Sequence, residues 1–165
     1  MGKITPLIRE FQNYDKIAVG AIEENCFEDA WTEVMLFQQI RQKGSVYLVA
    51  EADDCVVGYI GGRVVLDEAE LYLVAVLPEF RGLGYGEKLV QKFVDSCCDL
   101  GVKKIFLEVR EDNVVAQKTY ASVGFEKVGQ RKNYYGNGMD AVLMSLACLP
   151  LEGLNCVRWT QEGTK

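Results

Sequence analysis

Any proton chemistry in this chain must proceed without histidine. None occurs among its 165 residues. Imidazole acid–base work, Ser–His or Cys–His nucleophilic pairs and His metal ligands are therefore excluded, leaving Asp, Glu, Tyr, Lys or Cys to move protons. Two stretches have residue types and spacing suited to catalysis. In the first, Val74-Ala75-Val76 leads through Pro78 into Arg81-Gly82-Leu83-Gly84-Tyr85-Gly86-Glu87 and then an apolar periodic segment. A strand, a glycine-rich turn and a helix start in that order bring backbone N–H groups to a point that suits a phosphate or pyrophosphate. It is not a dinucleotide fingerprint, because Leu89 stands where a further glycine is needed, and no Gly-Lys-Ser/Thr follows for a P-loop. On the glycines alone it is also compatible with a plain tight turn.

In the second stretch Glu108 interrupts an otherwise apolar strand. A carboxylate there is costly unless it lies at a sheet edge, is paired, or is functional. Asn113 and Tyr120 follow seven positions apart, on one helix face and two turns from each other. Asn113 suits either a helix cap or a ligand contact, and Tyr120 either core packing or proton donation. Six cysteines (26, 55, 97, 98, 148 and 156) contain no C-x-x-C pair. They read as reduced thiols acting as small hydrophobes, and no metal site is expected.

The elements that must position these residues follow from periodicity and turn signals. Strands are expected over residues 4–11, at a sheet edge because of Pro6, and over 46–51 and 56–66, joined by Asp53-Asp54. Residues 14–25 and 29–42 read as helices, and 71–77 as a central strand apolar on both faces. A helix over 84–100 ending at Gly101 leads to a strand over 103–110, the pair of strands forming a right-handed parallel crossover. A helix over 113–123 and a hairpin of 125–135 with 139–147 around Asn137-Gly138 complete an α/β domain over 1–148. Residues 149–165 read as an appended tail.

Apolar residues at 49% and charged residues at 25% are those of one soluble globular domain. The longest apolar run, 71–77, is far short of a membrane helix, and Lys3, Arg9 and Glu10 break any secretory h-region, so a cytoplasmic protein is expected. A net charge of −6 disfavours nucleic acid and favours a cationic partner.

Arg81-x-x-Gly84-x-Gly86 between strand and helix resembles the signature of the GCN5-related N-acetyltransferases. The block Leu107-Glu108-Val109-Arg110, Asn113, Ala116, Tyr120, Gly124-Phe125 resembles that family's second half. Arg131-Lys132-Asn133-Tyr134-Tyr135 with Asp140-Ala141-Val142-Leu143-Met144 resembles its RimI branch, the enzymes of ribosomal-protein N-terminal alanine. The resemblance implies a mixed, mostly antiparallel sheet of about seven strands flanked by about four helices. It also implies acetyl-CoA as co-substrate, held by Val74, Ala75, Val76, Arg81, Gly82, Leu83, Gly84, Tyr85, Gly86, Glu87, Asn113 and Tyr120. By the same resemblance Glu108 is the general base, Tyr120 the general acid, and Phe27, Trp31, Tyr134 and Tyr135 line the acceptor site. The implied acceptor is a protein N-terminal α-amine, that of a small-subunit ribosomal protein, attacked directly in a ternary complex. A small-molecule amine or a protein lysine is the alternative acceptor, and a non-catalytic acyl-CoA sensor a further reading.

Overall fold

The computed structural model describes residues 5–148. Its elements are β1 (Leu7–Glu10), α1 (Lys16–Cys26), α2 (Glu33–Ile40), β2 (Ser45–Ala52), β3 (Cys55–Val65), β4 (Glu68–Val76), α3 (Tyr85–Asp99), β5 (Lys104–Arg110), α4 (Val114–Val123), β6 (Glu126–Arg131) and β7 (Ala141–Ala147). The strands form one mixed sheet in the order β1-β2-β3-β4-β5-β7-β6. All neighbours are antiparallel except β4 and β5, which α3 joins as the expected parallel crossover. The expected tail, residues 149–165, and Cys156 lie outside the described residues. Among the described residues no helix is long and apolar enough to cross a membrane.

Strand alternation divides the core between the two faces of the sheet. On one face Leu48, Ile60, Leu71, Ile105, Leu107 and Val109 pack with Leu89, Val90 and Phe93 of α3 and Tyr120 of α4. On the other, Tyr47, Val49, Tyr59 and Ala75 pack with Val19 and Ile22 of α1 and Leu36 of α2. Burying these apolar groups contributes roughly 1.5–3 kcal/mol per large side chain. On β5 the alternate residues Phe106 and Glu108 point to the second face and are only partly covered. Glu108 therefore interrupts no buried stripe.

Several boundaries differ from the periodicity for local reasons. The second helix starts at Glu33, not 29, because Thr32 Oγ1 accepts the Met35 N–H at 3.2 Å, leaving Trp31 in the preceding loop. β4 starts at Glu68 because Val65 pairs with Glu68, so Leu66-Asp67 is the turn. β6 ends at Arg131 rather than 135. Asp140 accepts the Asn133 N–H and Gln130 Nε2, each at 2.7 Å, and Asn133 Oδ1 accepts the Gly138 N–H at 2.7 Å. These bonds close a loop over residues 132–140, so Tyr134 and Tyr135 stand on a loop and not on a strand. Before α1, buried Asp15 is held by twin bonds from Arg9 at 2.8 and 2.9 Å and by the Gln12 N–H at 2.7 Å. Burial alone would raise its pKa; the guanidinium and the amide outweigh that and hold it below the usual carboxylate range.

The cysteine expectation is corrected. Cys98, near the end of α3, and Cys148, just after β7, form a disulfide with Cα atoms 5.6 Å apart. The Cys148 N–H bonds the Lys103 carbonyl at 2.9 Å, which brings the end of β7 beside the helix terminus. Cys55 is exposed, whereas Cys97 is fully buried and its thiol pKa is pushed up to about 12, as expected of an inert filler. Peptide mapping without reductant is expected to recover the 98–148 link. With its ends 50 positions apart in sequence, loss of the link in Cys148→Ser is expected to lower the unfolding free energy by roughly 2–4 kcal/mol. An unchanged urea midpoint in oxidising buffer would show that the link does not constrain the chain.

Candidate functional site

The site begins where two strands part. β4 and β5 share only the rungs from Glu68–Lys104 to Leu71–Leu107. Beyond them β4 continues to Val76 on β3, and β5 continues to Arg110 on β7, without touching one another's ladder. The divergence coincides with a β-bulge. Gly61 pairs with Leu73 and Gly62 with Leu71, leaving Tyr72 unpaired. Tyr72 and Leu73 then both border one cavity on the second face. Gly62 is required there, because a Cβ would overlap the Glu70 carbonyl and the Phe93 ring.

At the end of β4 the glycine-rich turn has the geometry its sequence suggests. Gly82 and Gly84 have φ of +76° and +86°, values that exclude most side chains. A Cβ at either would meet nothing within 4 Å, so their outer side is open. The first intrahelical bond of α3 runs from the Lys88 N–H to the Gly84 carbonyl at 3.1 Å. Amides earlier in that turn have no intrahelical acceptor and suit an anion. Arg81 donates through Nε to the Val76 carbonyl at 2.9 Å and lies 3.5 Å from Cys26 Sγ, pinning the turn to the end of β4. Val74 and Val76 turn toward the α3 core and Ala75 toward α1, so this strand offers a ligand mainly its backbone. Leu83 and Glu87 are exposed, and Tyr85 is buried with its ring edge-on to Phe80 at 5.9 Å.

Asn113 is the N-cap of α4, its Oδ1 accepting the Ala116 N–H at 3.1 Å. Two turns on, Tyr120 is buried on the α3 side and packs edge-on to Phe125 at 5.9 Å. Burial, then the neighbouring Tyr135 phenol, push its pKa up to about 12.

Across the sheet Glu108 is paired with Arg131, Oε1 to Nη1 at 3.2 Å. Arg131 also lies over the Tyr134 ring at 5.6 Å, and Arg110 over Tyr135 at 5.7 Å. The Glu108 carboxylate, by hydrogen bonding and by its charge, raises the pKa of the Tyr134 phenol; burial and then Glu108 raise that of Tyr135. Trp31, Tyr72, Tyr134, Tyr135 and Glu108 border a cavity of about 580 Å³. Phe27 and Trp31 border an adjoining cavity of about 660 Å³ with Tyr72 and Tyr135. The fold thus gathers Trp31, Tyr134 and Tyr135 around Glu108 from loops far apart in sequence, with Phe27 on the adjoining cavity. Among the described residues no group of three or more His, Cys, Asp or Glu could hold a metal ion.

Sequence reasoning missed Glu23, Glu70 and Tyr72. Glu23 was legible as a charge four residues after Val19 on the apolar stripe of α1. Its carboxylate, 2% exposed, accepts the Trp31 N–H at 3.0 Å and the Tyr59 hydroxyl, so it fixes the loop that carries Trp31. Glu70 alternates with buried Ala69 and Leu71 and reads as an ordinary solvent-facing residue.

Residues 17–125 match the model of the acetyltransferase (GNAT) family. A ribosomal protein bS18-alanine N-acetyltransferase of Salmonella typhimurium is 35% identical over 137 residues, which span 80% of this chain and 90% of that protein. The crystal structure of the ribosomal-protein-S18-alanine N-acetyltransferase from Escherichia coli has a TM-score of 0.79 at 28% identity, covering 87% of this chain and 94% of its own. That of Ard1 from Thermoplasma volcanium has a TM-score of 0.80 at 29% identity, covering 88% and 99%.

Burial pushes the Glu23 pKa up, and the Trp31 N–H pulls it partly back. A raised folded-state pKa means that the stability tied to the neutral carboxyl is complete below the unfolded value of about 4.3 and is lost as pH rises through the folded value. Glu23→Gln is expected to remove that part of the decline. Urea midpoints of both proteins between pH 4 and 8 test this, and identical pH slopes would refute it.

Proposed function

The chain belongs to the acetyltransferase (GNAT) family and is an acetyl-CoA-dependent N-acetyltransferase, and from that premise we propose that its acceptor is a protein N-terminal α-amine, the N-terminal alanine of a small-subunit ribosomal protein. The observation that carries the reading is the aromatic-rimmed cavity of Trp31, Tyr134 and Tyr135 with Glu108 on its wall, at the point where β4 and β5 part. Such a cavity admits a chain end and presents a base to it.

In this reading the amides of residues 82–87 hold the pyrophosphate, with Arg81 and Asn113 shaping the turn and the start of α4. The backbone of Val74, Ala75 and Val76 lies along the pantetheine. The bound co-substrate supplies an activated acyl carbon and a thiolate leaving group. Glu108 takes a proton from the acceptor nitrogen, directly or through a water, as nitrogen attacks within the ternary complex. The task is light: roughly 15% of an α-amine is neutral at pH 7, against roughly 0.04% of a lysine amine. N–H groups near Val76 stabilise the negative charge on the acyl oxygen.

Tyr120 donates to the departing sulfur. With its pKa pushed up to about 12 it keeps its proton throughout the neutral range. Full transfer to a thiolate of pKa near 8.5 is uphill by about 5 kcal/mol. The useful contribution is therefore a hydrogen bond that strengthens as charge develops, with transfer completed as the thiol leaves.

The same reading takes residues 1–148 as the catalytic domain and 149–165 as an appended tail, in a cytoplasmic enzyme. The net charge of −6 favours encounter with a basic ribosomal protein.

Tyr120→Phe and Glu108→Gln are each expected to lower turnover about 100-fold while leaving acetyl-CoA affinity within about twofold by calorimetry. Wild-type turnover in either variant would sink its assigned role. Mass spectrometry of an alanine-initiated ribosomal-protein peptide, a lysine peptide with a blocked N-terminus and spermidine, each incubated with enzyme and acetyl-CoA, identifies the acceptor. Acetylation of the first alone is expected, and an unmodified N-terminus beside an acetylated free amine would overturn the reading.

A further inference from the structure

The acceptor cavity does not end at Glu108. Glu70, Tyr72 and Glu108 border it and also border an open groove of about 780 Å³ on the same face of the sheet. The groove follows β4 back from Tyr72 to Glu68, about 13 Å at the rise of a strand. None of Phe27, Trp31, Tyr134 and Tyr135 borders it. The apolar cluster beneath α1 and α2 takes only Leu73 and Ala75 from β4 and, among the described residues, nothing from β5, β6 or β7. This part of the face therefore has no helix packed on it.

The groove is apolar where it is most exposed. Val65, Leu66 and Val128 border it at 55%, 92% and 57% exposure, with Phe106 and Leu143 on the strands between. Leu66 is the informative residue. It opens the turn from β3 to β4 with φ of 57°, a backbone region where glycine or asparagine is usual and a bulky side chain is unfavourable. At its exposure the side chain gains little from packing within its own chain to offset that. Fixed charges along the groove balance. Asp67, Glu68, Glu70 and Glu108 border it with Arg63 and Arg131, while Lys103 pairs with Asp67 at 3.6 Å and Lys104 lies over the Phe106 ring at 5.3 Å. What the groove offers a ligand is apolar surface, not a surplus of either charge.

We propose that this groove docks the acceptor chain beyond its first residue, as an extended segment with apolar side chains at alternate positions. The inference rests on the acceptor reading above. A chain end whose amine reaches Glu108 occupies the cavity of about 580 Å³, and the residues behind it must leave along an open path. The groove is such a path, joined to that cavity through Glu70 and Tyr72. At about 3.3 Å per residue its length holds about four residues. Alternate side chains of an extended chain face one way, so about half of them rest on Phe106 and Leu143, and the far end of the segment meets Leu66. A free amine with no chain behind it gains nothing from the groove, which gives a protein acceptor an advantage that a small molecule lacks.

Steady-state kinetics with alanine-initiated tripeptides and heptapeptides test the proposal, the heptapeptides carrying leucine or serine at their even or their odd positions. For wild type the KM of the better leucine heptapeptide is expected to lie at least tenfold below those of its serine counterpart and of the tripeptide. Leu66→Gly suits the backbone at that position. It is expected to hold or raise the urea midpoint while raising the leucine-peptide KM at least threefold. The double variant Val65→Ser/Val128→Ser is expected to raise that KM to within twofold of the serine-peptide value. In every variant the KM values for the tripeptide and for acetyl-CoA are expected to stay within twofold of wild type. Equal KM values for leucine and serine heptapeptides in wild type, or a leucine preference that both variants leave intact, overturn the proposal and leave the N-terminal reading standing. Failure of wild type to acetylate any of the peptides overturns that reading, and the proposal with it. A dimer that Leu66→Gly dissolves in the ultracentrifuge assigns the groove to a second copy. A leucine preference seen only in a chain ended after Cys148 assigns it to residues 149–165. Either outcome overturns the proposal.

Discussion

Everything functional in this molecule depends on β4 and β5 being allowed to pair for only four rungs, from Glu68–Lys104 to Leu71–Leu107. A parallel pair inside a sheet ordinarily continues, because each unmade rung leaves buried backbone groups without partners. Here the Tyr72 bulge bends β4 away, and β7 takes β5 along its whole length. The gap leaves a strand edge facing a slot between the two faces of the sheet. The glycine turn opens at one end of the slot, Tyr120 lies on its α3 side, and Glu108 with the aromatic loops lies on the other.

The electrostatics of the two faces are correspondingly different. The protein is acidic overall, and at the start of α3 it has N–H groups of the kind that suit an anion. On the second face Glu70 and Glu108 border one cavity, and Arg131 pairs with Glu108. Buried carboxylates elsewhere serve as anchors. Glu23 fixes the Trp31 loop to the core, and Asp15 with Arg9 ties the start of α1 to β1.

Legibility in the sequence followed the range of the interaction concerned. The helix of α3 was readable from its apolar spacing, the β2–β3 turn from Asp53-Asp54, which adopts φ of 50° and 61°, and the glycine turn from its own residues. Ends set by distant partners were not. Arg131 as the end of β6 depends on Asp140 reaching back to Asn133 and Gln130. The start of α1 depends on Arg9. Glu108 drew notice as a charge among apolar neighbours, although on its own face it is neither unpaired nor out of place. Glu70 drew none, because alternation makes an acid beside Ala69 and Leu71 look like solvent-facing routine.

The sequence by itself determined the order of elements, the crossover from β4 to β5, the glycine turn at the start of α3 and the exclusion of histidine chemistry. Each of these rests on backbone preference and short-range periodicity, which neighbours in the chain carry in full. Only the tertiary structure decided the parting of β4 from β5, the meeting of Cys98 with Cys148, and the gathering of Trp31, Tyr134, Tyr135, Glu70 and Glu108 around one cavity. Those depend on strand register and on which side chains share a face, and both are settled by packing between segments tens of residues apart.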